Sequence, residues 1–360
     1  HDDSVPTPVG RDLRVCLRWG AGRNPVMTAA GEGRAQRVLR GADDLQRRHP
    51  FLAFPFAVVK KFGDDRASQL AALIAYYGFF SLFPLLLVFA VVAAIVLDRN
   101  PDLQQRLIDS VLDQFPVVGP QIEDTINDSI EQLSGSPVAL TVGIVGALWT
   151  GTAVVAAAQQ AMDDIWDVPR VDRPGLLGRI VRAFLLLFVF AVSLVLSTFL
   201  AGSGTETGWG DIVLRAISIV GLVLVSVGVF AFAYRVLTVA SVTWRQVLPG
   251  AIVAAIGWTV LLMVGGWIVD RQIGQASAIY GVFATVIGLL AWIYLAGQLF
   301  LLAGEVNVVR ARRLWPRSLV APPLASQDER VLADQAEEQR TRPEERVEVR
   351  IEEHAEGGDR

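Results

Sequence analysis

Residues 183–205 read AFLLLFVFAVSLVLSTFLAGSGT, a run without one Asp, Glu, Lys, Arg or His. The hydrocarbon core of a bilayer is about 30 Å thick and takes roughly 20 helical residues to cross, and an ionised side chain at its centre costs on the order of 2.5–3.5 kcal/mol. The same avoidance recurs at 67–97, 132–162, 216–234, 246–269 and 272–304. A buried helix of a water-soluble protein is normally shorter and keeps a polar face, and the strands of a membrane barrel alternate apolar with polar residues. These runs do neither; LLVFAVVAAIVL at 86–97 is continuous. The fold class expected is all-α: a polytopic membrane protein with six transmembrane helices.

Bulk composition would hide this, because the hydrophobic fraction of 52% is barely above that of a soluble domain. Cys16 is the only cysteine, so no intrachain disulfide can form. The net charge of −4 comes from one loop and the tail, and no basic patch interleaved with aromatics is present. Nucleic acid is therefore not an expected partner.

Charge and proline divide the chain. Residues 1–34 start at His1 and lack an apolar signal region, and we expect a disordered N-terminal extension, with Met27 a candidate start. Residues 35–66 form a cytoplasmic or interfacial amphipathic segment, with Val38, Leu39, Ala42 and Leu45 among arginines and then Phe51, Phe54, Phe56 and Phe62 beside Lys60 and Lys61. Residues 67–305 make the six-helix domain. Its first span carries Pro84, which removes a backbone donor and should kink it. Within that domain, 98–137 is an outward-facing loop of two short amphipathic helices with acidic faces. Residues 306–360 turn basic and then dense in Glu and Arg, which predicts a disordered cytoplasmic tail.

Counting Lys and Arg on alternate sides gives about fifteen to four, the minority being Arg99, Arg106, Arg215 and Arg271. The positive-inside rule then places both termini in the cytoplasm. An even number of spans agrees with that.

Motifs for chemistry are missing. HExxH, P-loop, GxSxG and CxxC patterns do not occur, and His1, His49 and His354 all lie outside the spans. We expect no catalytic residue, no metal, no cofactor and no enzyme activity. The glycine run at 202–210 reads as a flexible loop, and the acidic residues of 98–137 as solvated helix faces.

Polar groups inside the spans are Tyr76, Tyr77, Ser81, Thr150, Thr152, Gln159, Gln160, Thr285 and Gln298. Hydrogen bonds between helices account for them, or a polar pathway or headgroup groove does. Asp163, Asp164, Glu305 and Asn307 end the second and sixth spans at the inner face, where Arg179, Arg182 or Arg310 can anchor the acids. Small residues from Gly250 to Gly304 permit tight packing of the last two spans and allow a homo-oligomer.

Several segments together resemble the YihY/BrkB family of bacterial inner-membrane proteins. They are LIAYYGFFSLFPLLLV at 73–88, Asp164-Ile165-Trp166, Leu248-Pro249-Gly250-Ala251, and Ile279-Tyr280-Gly281 with Gly304-Glu305-Val306-Asn307 around the sixth span. The resemblance covers about residues 45–317 and implies a six-span protein of the cytoplasmic membrane. It also implies an old ribonuclease label, which these residues do not support.

The leading functional expectation is transport or envelope maintenance, with a lipid or other amphiphile passing a cleft lined by Tyr76, Tyr77, Gln159 and Gln298 around Pro84. Membrane lipids are the expected partners. A partner-recruiting scaffold is the second reading, and a membrane nuclease the third.

Overall fold

The computed structural model describes residues 12–17, 50–97, 137–202, 209–239, 242–272, 278–318 and 325–351. Helix α1 runs Pro50–Asp64, and six longer helices follow: α2 Ala67–Leu97, α3 Pro137–Ile165, α4 Leu176–Gly202, α5 Trp209–Leu237, α6 Trp244–Gln272 and α7 Ala278–Arg312. A shorter α8 covers Ser326–Glu338, and strands β1 (Asp12–Leu17) and β2 (Arg346–Ile351) pair in parallel. The expected 98–137 insertion and the 35–49 amphipathic stretch lie outside the described residues, except for Pro137.

Segments within α4 to α7, namely Leu177–Ser197, Val220–Leu237, Trp244–Gly265 and Val286–Arg312, are long and apolar enough to cross a membrane. Their outer faces are apolar as well: Phe188 is 66% and Met263 70% exposed. Surface of that kind is stable against lipid and not against water. The protein is a multi-pass, helical membrane protein.

The chain divides into two units. One comprises Phe62–Ile165 and Pro174–Asn307. Here α2 packs along α3, and α5 along α6. Without a hydrophobic drive between helices, close approach depends on small residues. A Cβ on Gly146 would stand 3.1 Å from Pro84, so that glycine makes room for the ring, while one on Gly297 would stand 3.3 Å from the Ala71 carbonyl. Ala67, Ala71, Ala161 and Leu301 form a buried cluster, with Tyr294 and Phe300 against it.

Three of the span hydroxyls, those of Ser81, Thr150 and Thr152, are satisfied within their own helices. Ser81 Oγ donates to Gly78 O, Thr150 Oγ1 to Gly146 O and Thr152 Oγ1 to Trp149 O, each at 2.8 Å. Gln298 Nε2 donates to Tyr294 Oη one turn back, at 2.7 Å. A carbonyl one turn back is the nearest acceptor in a dry medium, so these groups do not bridge helices through those bonds.

The other unit comprises His1–Lys61, Trp166–Arg173 and Val308–Arg360. Within the stretches expected to be disordered, the described residues include β1, α8 and β2. The register sets Leu13, Val15 and Leu17 beside Val347, Val349 and Ile351, and Asp12 and Arg14 beside Arg346 and Glu348. Cys16 stands beside Arg350 in the same register. Helix α8 has acidic Asp328 and Glu329 in its first turn, where the helix dipole favours them.

Helix α7 ends in a Schellman turn. Arg313 adopts a left-handed φ of 55°, and Leu314 N–H donates to Val309 O at 3.1 Å, with both apolar side chains buried. The turn sends the chain back toward α1, where Trp315 meets Phe54 edge-on at 5.3 Å.

Candidate functional site

In the larger unit, buried polar groups gather at the ends of α3, α5 and α7 and the start of α6. Pro249 supplies no donor to the α6 ladder, and the next N–H, that of Gly250, is donated to Asn307 Oδ1 at 2.6 Å. Glycine is required there: a Cβ would run into the Ala303 carbonyl oxygen and the Asn307 amide. The Leu248-Pro249-Gly250-Ala251 motif and Asn307 are therefore one contact seen from its two sides.

Gly304 does the same for α3 and α5, because a Cβ there would stand 2.8 Å from Ile165, 3.6 Å from Met162 and 3.7 Å from Tyr234. Tyr234, fully buried, donates its hydroxyl to Phe300 O at 2.8 Å and stacks on the Phe300 ring at 4.8 Å. Asp163 accepts the Val239 N–H at 3.4 Å just past the end of α5. Gln159, one turn before it on α3, is 1% exposed and its amide finds no partner among the described residues. Glu305 and Asn307 are completely buried. An unmatched amide in such a place is costly, so Gln159 marks a position where packing alone has not settled the polar balance.

In the smaller unit a charged clasp is built on two aspartates. Asp167, in a left-handed conformation with φ 47°, receives Lys61 Nζ at 3.3 Å on Oδ2 and Arg312 Nη1 at 2.8 Å. Lys61 is completely buried, and Arg312 also donates to the Trp166 carbonyl. Asp328, at the start of α8, receives Lys60 Nζ at 2.8 Å and Arg317 Nε at 2.5 Å on one oxygen, and the Ser318 N–H at 2.8 Å on the other. Burial alone would raise the Asp328 carboxyl, but Lys60, the Ser318 N–H and Arg317 together hold it at about 2. Arg312 reaches Asp334 at 2.8 Å and Arg173 reaches Glu338 at 2.7 Å, so α8 is tied along its length.

The residues singled out in the sequence fall in several places. Gly250, adjoining Pro249, meets Asn307 directly, and Gln159 and Asp163 share one face of α3. Trp166 is in the clasp through its carbonyl. Asp164 is half-buried near the end of α3. Tyr76 and Tyr77 are 55% and 39% exposed, packed edge-on against each other and beside Phe80 on the outer face of α2. They differ in burial from Gln159, which is 1% exposed. Ser81 and Pro84 face the neighbourhood of Gly78 and Gly146. Tyr280 and Gly281 lie near the start of α7, with side-chain environments outside the described residues. A charged cluster outside the expected set is centred on Asp167 with Lys61 and Arg312. Among the described residues, no three His, Cys, Asp or Glu side chains are grouped to hold a metal ion.

Against known proteins, the profile of the family described as virulence factor BrkB matches residues 58–327. Inner membrane protein YhjD of Escherichia coli (strain K12) is 25% identical over 294 residues, covering 74% of this chain and 83% of that protein. A Bacillus subtilis (strain 168) protein named as ribonuclease-like, YfkH, is 27% identical over 263 residues, covering 70% of this chain and 91% of its own length. A UPF0761 membrane protein of Stenotrophomonas maltophilia (strain R551-3) is 31% identical over 261 residues, covering 69% of this chain and 58% of that protein. No solved structure matches the chain.

Proposed function

Because the chain belongs to the BrkB family of integral membrane proteins, we propose that it moves or senses an amphiphile of the inner membrane, with a lipid as candidate cargo, in transport or envelope maintenance. The observation that carries this reading is the aromatic face of α2. Tyr76 and Tyr77 are exposed nine and ten residues after Ala67, which at 1.5 Å per residue is roughly 14 Å along an uncharged helix that we place across a core about 30 Å thick. A phenol hydroxyl facing hydrocarbon at that depth goes unmatched unless a polar group meets it, and a lipid headgroup in transit supplies one.

The reading includes six spans with both termini in the cytoplasm. Six helices of 27 to 35 residues support it, and so does the parallel pairing of β1 with β2, which keeps the two ends of the chain on one side. Membrane lipids are the partners, nucleic acid is not, and a homo-oligomer is compatible with the exposed helix faces. We take the chain to be no enzyme; the ribonuclease-like name belongs to YfkH.

The test is lipid flux in proteoliposomes with Tyr76→Phe/Tyr77→Phe, which keeps the rings and removes the hydroxyls. A fall of about tenfold is expected. Flux equal to wild type, or no flux from the wild-type protein, rejects the reading.

A further inference from the structure

Helix α8 carries five carboxylates and one guanidinium, and the cations that hold it have a second natural partner. Lys60 lies seven residues before α2, Arg173 three residues before α4, and Arg312 is the last residue of α7, with Arg317 five residues beyond. Each cation is therefore tethered within a short stretch of the end of a long helix, and the ends of helices that cross a bilayer are where its phosphates lie. The same residues count toward the inner-side excess of positive charge. An anionic leaflet attracts such cations and repels an acidic helix.

Helix α1 points to the same surface. Its outer side presents Phe51, Leu52 and Val59, 92%, 51% and 62% exposed, while Ala53, Ala57 and Lys61 are buried. An apolar ridge beside a lysine, two residues from the first membrane helix, suits a helix seated in the interface.

We propose that α8 and anionic lipid headgroups compete for one set of cations, Lys60, Arg173, Arg312 and Arg317, so that the acidic helix is displaced where the inner leaflet is rich in anionic lipid. The geometry gives the competition its form. Asp328 sits in a nest of two cations and a backbone N–H, an arrangement that accepts a phosphate oxygen as readily as a carboxylate. Glu338 pairs with Arg173 and Asp334 with Arg312 at a partly exposed edge, where a dense anionic surface competes best. The inference rests on placement in a membrane and not on the cargo reading, and its test does not read flux.

The experiment is hydrogen exchange of residues 326–338 in the full-length protein, held in nanodiscs of zwitterionic lipid alone or with one third anionic lipid. Exchange at least tenfold faster in the anionic discs is expected for the wild type, and fast exchange in both discs for Asp328→Asn/Asp334→Asn. Equal protection in the two lipids overturns the proposal, as does protection of the double variant in both. Release by inorganic phosphate in zwitterionic discs, to the same extent as by anionic lipid, also overturns it, since the ligand would then be the free anion and not the surface.

Discussion

The backbone N–H of Gly250 donates to the side-chain oxygen of Asn307 at 2.6 Å, across 57 positions of sequence and at full burial of Asn307. It takes the donor that follows Pro249, where the α6 ladder is already interrupted. Gly250→Ala would press a methyl group into the Ala303 carbonyl and the Asn307 amide, and overpacking against backbone costs about 1–3 kcal/mol. Asn307→Leu leaves the N–H unmatched at a similar cost. Thermal unfolding in detergent, followed by tryptophan fluorescence, should show both variants destabilised. The double variant should fall short of the sum, because the two changes break one contact. Full additivity would show that the contact is not shared.

Lys61 and Asp167 offer a second double-mutant cycle. Lys61 is wholly buried and its carboxylate partner is also held by Arg312. Removing one member of a buried pair leaves an uncompensated charge, at about 3–5 kcal/mol, whereas removing both is often near neutral. Lys61→Met should therefore be severely destabilising and Asp167→Asn comparably so. Lys61→Met/Asp167→Asn should recover part of the loss, less than all of it because Arg312 keeps a claim on position 167. A melting temperature for Lys61→Met within a degree of wild type would contradict the pairing.

The apolar runs were legible because the cost of a charge in hydrocarbon acts on every residue of a long stretch, whereas Pro249-Gly250 and Asn307 stood out through the family resemblance. Lys61 was not legible. Lys60 and Lys61 are adjacent and alike in sequence, yet one is half-buried against Asp328 and the other sealed against Asp167, 106 positions away. No local period separates them. In the tail, the overall density of Glu and Arg hides a local signal: RVEVRI at 346–351, which forms β2, alternates with the strand period of two. Tyr76 and Tyr77 were found by type, but their outward orientation depends on which face of α2 meets α3.

The topology gives a labelling pattern. Cys16 is the only cysteine, so a Cys16→Ser background is free of thiols. In it, Ser110→Cys should react with a membrane-impermeant maleimide in intact cells, and Ser326→Cys only after permeabilisation. Labelling of both in intact cells, or of neither, would contradict six spans with cytoplasmic ends.

Asp328 makes the docking of α8 sensitive to acid in a defined window. Its carboxyl is held at about 2, below the ordinary value of 3.8, because Lys60, Arg317 and the Ser318 N–H favour the charged form over the effect of burial. A depressed carboxyl stabilises the docked state fully above its free value, and that contribution fades as pH falls from about 4 through about 2. Discounted for solvent screening, its size is on the order of 1–2 kcal/mol. Limited digestion with pepsin, which works at these pH values, should leave residues 326–338 intact at pH 4 and cut them increasingly toward pH 2. Asp328→Asn should be cut at both, with no such dependence. A wild-type protein digested equally fast at pH 4 and pH 2 would show that the Asp328 nest does not hold the helix.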